Sequence, residues 1–463
     1  MPAAMLIIAI FVTDDVNVPA CTSDILSDIY LETFTRACFK SALKIGMNFD
    51  FSLMTMTQPM LSLFASALLT FSACTSNQVP ATQPETTHTK TETTATPVAK
   101  PMQTGAEQLN LYLPKLAGKR VGMVVNQTST IGQTHLVDTL LARGVKITTI
   151  FAPEHGFRGD ADAGAYVKDA KDTKTGLPII SLYGTNKKPK PEQIKDLDVL
   201  IFDIQDVGTR FYTYISTMHY VMEAAAENGK EVLILDRPNP NGNYVDGPVL
   251  EKEHTSFVGM HPIPIVHGLT VGELANMING EKWLEGQRQA KVTVIPVANY
   301  THKMPYSLPI KPSPNLPNDQ AIKLYPSICF FEGTNVSVGR GTPTPFQVIG
   351  SPYYTKKNFS FTPVSTPGAT NPPHKGVTCY GMDLTKVAVP NKVDLSYLLE
   401  MYQHSTEKDK FFNNFFEKLA GTSKLREQVI AGKTEAEIRA TWEPALSNYK
   451  KMRKQYLLYP DFE

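Results

Sequence analysis

Apolar positions in this chain come in short, almost uninterrupted runs: RVGMVVN (120–126), KITTIF (146–151), IISLY (179–183), DVLIFD (198–203), EVLILD (231–236) and KVTVIP (291–296). Runs of that length predict strands whose two faces are both covered, as in a parallel sheet. Between them the apolar spacing turns helical at 135–143, 191–197, 216–228 and 270–279, with Gly144 and Gly229 as stop signals after the first and third. Strand and helix in alternation indicate an α/β fold: a Rossmann-like, doubly wound parallel sheet over residues 104–323. Residues 301–326 carry six prolines and read as a hinge or crossover. A smaller α+β C-terminal domain is expected at 324–463. It has strand-like stretches at 346–349 and 376–382, and helical ones at 395–403, 410–419, 425–431 and 434–456.

The first hundred residues follow another pattern. MLSLFASALLTFSA (60–73) is apolar, short for a bilayer span, and ends in small residues before Cys74. That arrangement resembles a lipoprotein signal over 54–74, with Cys74 as the lipidated residue and a membrane anchor as the consequence. Residues 75–103, rich in Thr, Pro, Ala and Gln and free of aromatics, read as a disordered tether. Because a signal normally opens a chain, residues 1–53 are expected to be an N-terminal extension outside the working protein. The expected location is the cell envelope, on the periplasmic side.

Composition narrows the classes of function. The 463 residues are 42% hydrophobic and 19% charged, with a formal net charge of +1. A core of ordinary size is available, and nothing in the charge calls for nucleic acid as a partner. In the domains themselves only Cys329 and Cys379 occur, to be read either as a bridge or as two buried thiols.

Chemistry concentrates where the strands end. After the first come Asn126 and Gln127. After the second comes FAPEHGFRGDADAG (151–164), with Glu154, His155, Arg158, Asp160 and Asp162 spaced by glycines. The fourth leads into FDIQDVGTRFYTY (202–214), with Asp203, Asp206, Arg210, Tyr212 and Tyr214, and the fifth into LDRPNPNG (235–242), with Arg237 and Asn239. Parallel strands put all these ends on one edge, where open α/β sheets bind ligands. An Asp after a strand is often only a helix cap, but four polar ends on one edge describe a cleft.

Carboxylates, aromatic rings and amides together suit a sugar. Hydrolysis of a glycosidic bond needs a carboxyl that donates to the leaving oxygen and usually a second carboxylate. Glu154, next to Pro153 and Phe151, is the first candidate for the acid, and Asp206 or Asp203 for its partner. His155 and His267 are candidate bases or ligands, yet no HxH, HExxH or paired-Cys spacing marks a metal site. There is no GxGxxG after the first strand and no GxSxG, so neither a dinucleotide cofactor nor a serine hydrolase elbow is expected. Two later stretches complete the candidate set: His267 before a helix start, and FEGTNVSVGRGTPTPF (331–346), with Glu332, Asn335 and Arg340 among glycines.

The stretches FAPEHGFRG, SLYG, FDIQDVGTRFYTYISTM, LDRPNP, HGLTVGELA, SPNLP and YPSICFFEGTNVSVGRGTPTPF, in this order, resemble the NamZ family of bacterial exo-β-N-acetylmuramidases. The resemblance covers the chain from about 119 onward. It implies a cleft between a Rossmann-like and a smaller domain, and release of N-acetylmuramic acid from non-reducing ends of peptidoglycan fragments without metal or nucleotide. It also implies Glu154 of the PEHG motif as the catalytic residue. Muropeptides and MurNAc-containing disaccharides are then the expected partners. Muramic acid carries a lactyl carboxylate that glucosamine lacks, so a selective cleft needs a cation; Arg158, Arg210, Arg237 and Arg340 are the candidates. A lipid-anchored sugar- or muropeptide-binding protein without turnover would present the same residue types.

Overall fold

In the computed structural model, residues 100–158 and 169–463 are described. The chain enters through α1 (Leu109–Leu116) and β1 (Arg120–Val125), then a small hairpin of β2 (Thr130–Ile131) and β3 (Thr134–His135). Next come α2 (Leu136–Leu141), β4 (Lys146–Ala152), β5 (Ala170–Lys171), β6 (Pro178–Ser181), α3 (Pro191–Ile194) and β7 (Val199–Asp203). The domain continues with α4 (Tyr214–Glu227), β8 (Glu231–Leu235), α5 (Val271–Gly280) and β9 (Lys291–Ile295).

All six expected strands pair in parallel, in the spatial order β6-β4-β1-β7-β8-β9, and β5 adds an antiparallel edge. Numbered among themselves, the six run 3-2-1-4-5-6, so the winding reverses between β1 and β7. Their apolar continuity has the expected cause. Val121, Met123, Val125, Ile147 and Ile150 point into a core under α1 and α2. Val124, Phe151, Leu200, Phe202 and Ile234 point into a second core under α4 and α5. That second core runs on without a break into Tyr325, Phe330, Phe346, Phe411 and Phe416 of the C-terminal part. The described residues form one compact unit.

The C-terminal part holds α6 (Asp319–Ile328), a three-stranded antiparallel sheet of β10 (Val348–Ser351), β11 (Ser360–Phe361) and β12 (Cys379–Asp383), and five helices. These are α7 (Ser396–Gln403), α8 (Phe416–Ala420), α9 (Lys424–Ile430), α10 (Glu435–Ala440) and α11 (Glu443–Arg453). The expected hinge is therefore helical at its end. Asn318 accepts the Ala321 N–H and starts α6, and Pro326 lies within the helix. The anticipated boundary between 323 and 324 falls inside that helix. The anticipated helix at 434–456 is two: Thr434 caps α10 with a capping box, and Pro444 sits in the first turn of α11. Cys329 and Cys379 are both buried free thiols. Among the described residues no helix is long and apolar enough to cross a membrane. Cys74 and the segments around it, with Gly159, Asp160, Asp162 and Gly164, lie outside the described residues.

Candidate active site

The strand ends do meet on one edge, but they divide into two places. The first is the reversal point between β1 and β7, where a doubly wound sheet usually binds its ligand. Here it is filled with protein. Asp203, at the end of β7, is fully buried and takes a bidentate pair from Arg237: Nε donates to Oδ1 at 2.6 Å and Nη2 to Oδ2 at 3.0 Å. Arg237 Nη2 also reaches the Thr130 carbonyl at 3.3 Å. Asn126 is buried beside them, its Oδ1 accepting from the Thr128 N–H and hydroxyl. The Pro-rich segment crosses above, with Gln127 Nε2 donating to the carbonyls of Lys311 and Pro312. The hydroxyl of Tyr214 donates to Pro312 as well, at 3.1 Å.

The second place is a cavity of about 340 Å³ beyond the end of β4. Its Rossmann-side wall is Glu154, His155, Tyr183 and the run 211–214; the facing wall is Tyr325, Glu332, Arg340 and Phe346. Phe257, Ser313 and Asn315 close the sides. The turn after β4 explains how Glu154 gets there. Pro153 ends the strand, the Gly156 N–H bonds back to the Pro153 carbonyl at 3.0 Å, and His155 between them has φ +69°. A non-glycine residue in that left-handed region costs about 1–3 kcal/mol, strain that is characteristic of functional turns. Here it turns the chain sharply enough to present Glu154 to the cavity.

Glu154 is half-buried, and Thr213, from the residue before α4, donates its hydroxyl to Oε2 at 2.6 Å. Tyr183 lies against the same carboxyl: burial, then the Glu154 charge and a hydrogen bond to it, push its phenol pKa up. Tyr214 is raised by burial and then by Glu154, so both rings stay protonated and neutral. Tyr212 packs edge-on against Tyr214 at 4.9 Å and is raised in the same way by burial. Across the cavity, Arg340 binds a single oxygen of Glu332, with Nε at 2.8 Å and Nη2 at 2.7 Å from Oε1, and its guanidinium lies 5.0 Å from the centre of the Phe346 ring.

The remaining candidates sit elsewhere. Asp203 and Arg237 neutralise each other in the filled crevice and do not reach the cavity wall. Asp206 is buried behind the aromatic wall; its Oδ2 takes the Gly208 N–H at 2.6 Å, and Oδ1 has no partner. Burial, opposed by the backbone N–H groups of Gly208 and Val207, raises its pKa to about 7. Arg210 is fully buried without a carboxylate. It donates to four backbone carbonyls: Pro248 and Ile263 from one side, Leu419 and Ala420 at the end of α8 from the other. Carbonyls at a helix C-terminus are otherwise unpaired and carry negative charge, which suits a cation. Burial still lowers the Arg210 pKa to about 9. Gly421, at φ +76°, makes the room: a Cβ there would stand 2.5 Å from Arg210 Nη2.

Arg158 faces solvent, 55% exposed, and pairs with Asp172 at 2.6 Å. Asn239 spends its side chain on the Leu269 carbonyl and the Asn241 N–H. His267 is buried, takes the Leu269 N–H on Nδ1, and has a pKa lowered to about 3 by burial first and then by Arg453. It is neutral and shapes the turn into α5. Asn335 has both side-chain polar atoms buried without a partner, beside the cavity loop but outside the cavity wall. Two acidic clusters with metal-like spacing, Glu251–Glu253–His254 and Glu223–Glu227–Glu285, lie outside the wall too, and the second already holds Lys188.

Several wall residues carry no motif of their own: Thr213, Phe257, Ser313 and Tyr325. Thr213 and Tyr325 lie in FDIQDVGTRFYTYISTM and YPSICFFEG, and Ser313 opens SPNLP, so the stretches that mark the family also build the cavity.

Comparison with known proteins agrees with this distribution. Residues 121–320 match the family model for the N-terminal part of the exo-beta-N-acetylmuramidase NamZ, and residues 323–459 match the model for its C-terminal part. The chain is 41% identical over 384 residues to the peptidoglycan beta-N-acetylmuramidase NamZ of Bacillus subtilis strain 168, covering 77% of this chain and 91% of that protein. It is similar to two crystal structures of DUF1343 family proteins from Bacteroides fragilis. One, at 1.30 Å resolution, is 49% identical with a TM-score of 0.73 and covers 78% of this chain and all of its own. The other, at 1.65 Å, is 32% identical with a TM-score of 0.67 and covers 77% and 99%. With both parts matched in order over nearly the whole described chain, this protein belongs to the NamZ family of exo-β-N-acetylmuramidases.

Proposed function

We propose that this chain is an exo-acting glycoside hydrolase that releases N-acetylmuramic acid from the non-reducing ends of peptidoglycan fragments. The observation that carries the reading is Glu154: a half-buried carboxyl on a strained turn, oriented by Thr213 and Tyr183, at the wall of a small aromatic cavity. A cavity of about 340 Å³ is at the small end of ligand sites, which suits one terminal sugar rather than a run of them. Tyr183, Tyr212 and Phe257 offer ring faces and edges to the C–H surfaces of a pyranose.

Glu154 acts as the general acid, giving its proton to the glycosidic oxygen as the bond to the muramic ring breaks; a water oxygen takes that oxygen's place on the anomeric carbon, and the proton the water releases restores the acid. The Thr213 hydroxyl fixes Oε2 and with it the plane of the carboxyl, so little reorganisation is needed at the moment of transfer. The test uses disaccharides with N-acetylmuramic acid at the non-reducing end. Mass spectrometry is expected to find free N-acetylmuramic acid and N-acetylglucosamine in equal amounts. Persistence of the disaccharide, with binding detectable by calorimetry, would instead make the chain a muropeptide-binding protein.

The N-terminal pattern supports a location in the cell envelope. Cys74 is the proposed lipidation site; the tether expected over 75–103 stops short of Gln103, which pairs with Ala298 in the folded domain, and the stretch before it carries the enzyme at the periplasmic membrane surface. Incorporation of labelled palmitate, lost in Cys74→Ala, is the expected result.

A further inference from the structure

We infer that Arg340, aimed by Glu332, is the subsite that reads a carboxylate on the sugar, and so separates muramic from glucosaminic substrates. The inference rests on the hydrolase reading above and assigns the selectivity of that cavity to one guanidinium.

Four arginines qualified by position in the chain, and three are spent. Arg237 gives Nε and Nη2 to Asp203 and Nη2 again to the Thr130 carbonyl, buried in the filled crevice and outside the cavity wall. Arg210 is enclosed by four carbonyls. Arg158 faces solvent on Asp172. Among the described residues Arg340 is the one lysine or arginine in the cavity wall.

Its geometry leaves a docking edge. A guanidinium has a side edge, Nε with Nη2, and an end edge, Nη1 with Nη2, each able to take a carboxylate. Glu332 occupies the side edge with one oxygen. Its other oxygen, Oε2, takes the Cys329 thiol at 3.6 Å. Among the described residues nothing bonds Nη1. The side chains are 16% and 25% exposed, and both residues line the cavity. Phe346 beneath the guanidinium and Glu332 at its side fix the fork before a ligand arrives, which keeps the ordering cost of binding low. Glu332 is thus a positioning residue, and the end edge of Arg340 meets the lactyl carboxylate with two parallel hydrogen bonds.

The test compares three chromogenic glycosides on the full chain: the β-N-acetylmuraminide, its lactyl methylamide, and the β-N-acetylglucosaminide. Wild type is expected to favour the acid over the methylamide by about ten- to a hundredfold in kcat/KM, the range of a charge-assisted bond. In Arg340→Met that ratio is expected to fall to within threefold of one, with the loss in KM rather than kcat. Because Met leaves Glu332 unpaired, the double variant R340M/E332Q is measured too, with thermal melting as the check on folding. The same collapse is expected there. A folded double variant that keeps the wild-type preference would overturn the assignment of Arg340 and leave the hydrolase reading standing. No turnover of any glycoside by wild type would instead remove the hydrolase reading itself.

Discussion

Two carboxylate–arginine pairs stand on the same edge of this molecule, and they differ in what surrounds them. Asp203–Arg237 lies at the reversal point of the sheet with side chains 0% and 4% exposed. Glu332–Arg340 lies in the cavity wall at 25% and 16%. In the first, Nε and Nη2 take both carboxylate oxygens, Nη2 also reaches the Thr130 carbonyl, and the pair is shut inside the protein. In the second, Glu332 takes one edge with a single oxygen, and both residues line the cavity. The comparison shows that the place where a Rossmann-like sheet usually holds its ligand has become a structural plug. The proposed site lies beside it, at the turn after β4, the neighbour of β1, and the loop facing that turn.

The largest expected effect comes from opening the plug. Asp203→Ala leaves Arg237 buried without its partner, and such a change costs about 3–5 kcal/mol of stability. Urea unfolding should show it as a lowered midpoint, while Asp203→Leu with Arg237→Met should recover most of the loss. The same unfolding measurement applies to Arg210→Met, which strands four backbone carbonyls and unties the end of α8; about 2–4 kcal/mol is expected. Glu332→Gln, at the open pair, should cost under about 1 kcal/mol, since water screens it.

Asp206 offers a pH dependence with a definite sign. Its folded pKa, about 7, lies above the ordinary aspartate value of 3.8, so between those values the folded state holds a proton that the unfolded chain has released. Its contribution is fully present below about pH 4 and is lost as the pH rises through 7. Melting curves of Asp206→Asn against wild type should therefore diverge in the variant's favour across that window. Asp236, raised to about 6 by burial against hydrogen bonds from Thr270 and Tyr459, acts in the same direction.

Much of this architecture was legible from the residues. Six strands stood out because both faces of a parallel sheet are covered, leaving uninterrupted apolar runs. The hairpin β2–β3 did not, since two-residue strands have no period to read. Helix α6 was hidden by Pro326 and its Pro-rich approach, although Asn318 is an ordinary cap signal three residues before Ala321. For the site, polarity at the strand ends pointed to one edge of the sheet but could not sort its members. Whether Asp203 faces a ligand or Arg237 depends on a contact across 34 residues, and Arg210 finds its carbonyls across 209 and 210. Local spacing holds no trace of either. Glu154 was the exception, because Pro153, Gly156 and the strand end are all within a few residues and define the turn by themselves.

The central claim, that the cavity after β4 and not the filled crevice performs the chemistry, is tested most directly by Glu154→Gln. The measurement is kcat on the chromogenic β-N-acetylmuraminide, alongside the affinity for free N-acetylmuramic acid. The expected result is a kcat lower by about a hundred- to ten-thousandfold with affinity changed by less than about threefold. Turnover at the wild-type rate in a folded Glu154→Gln protein would contradict the account.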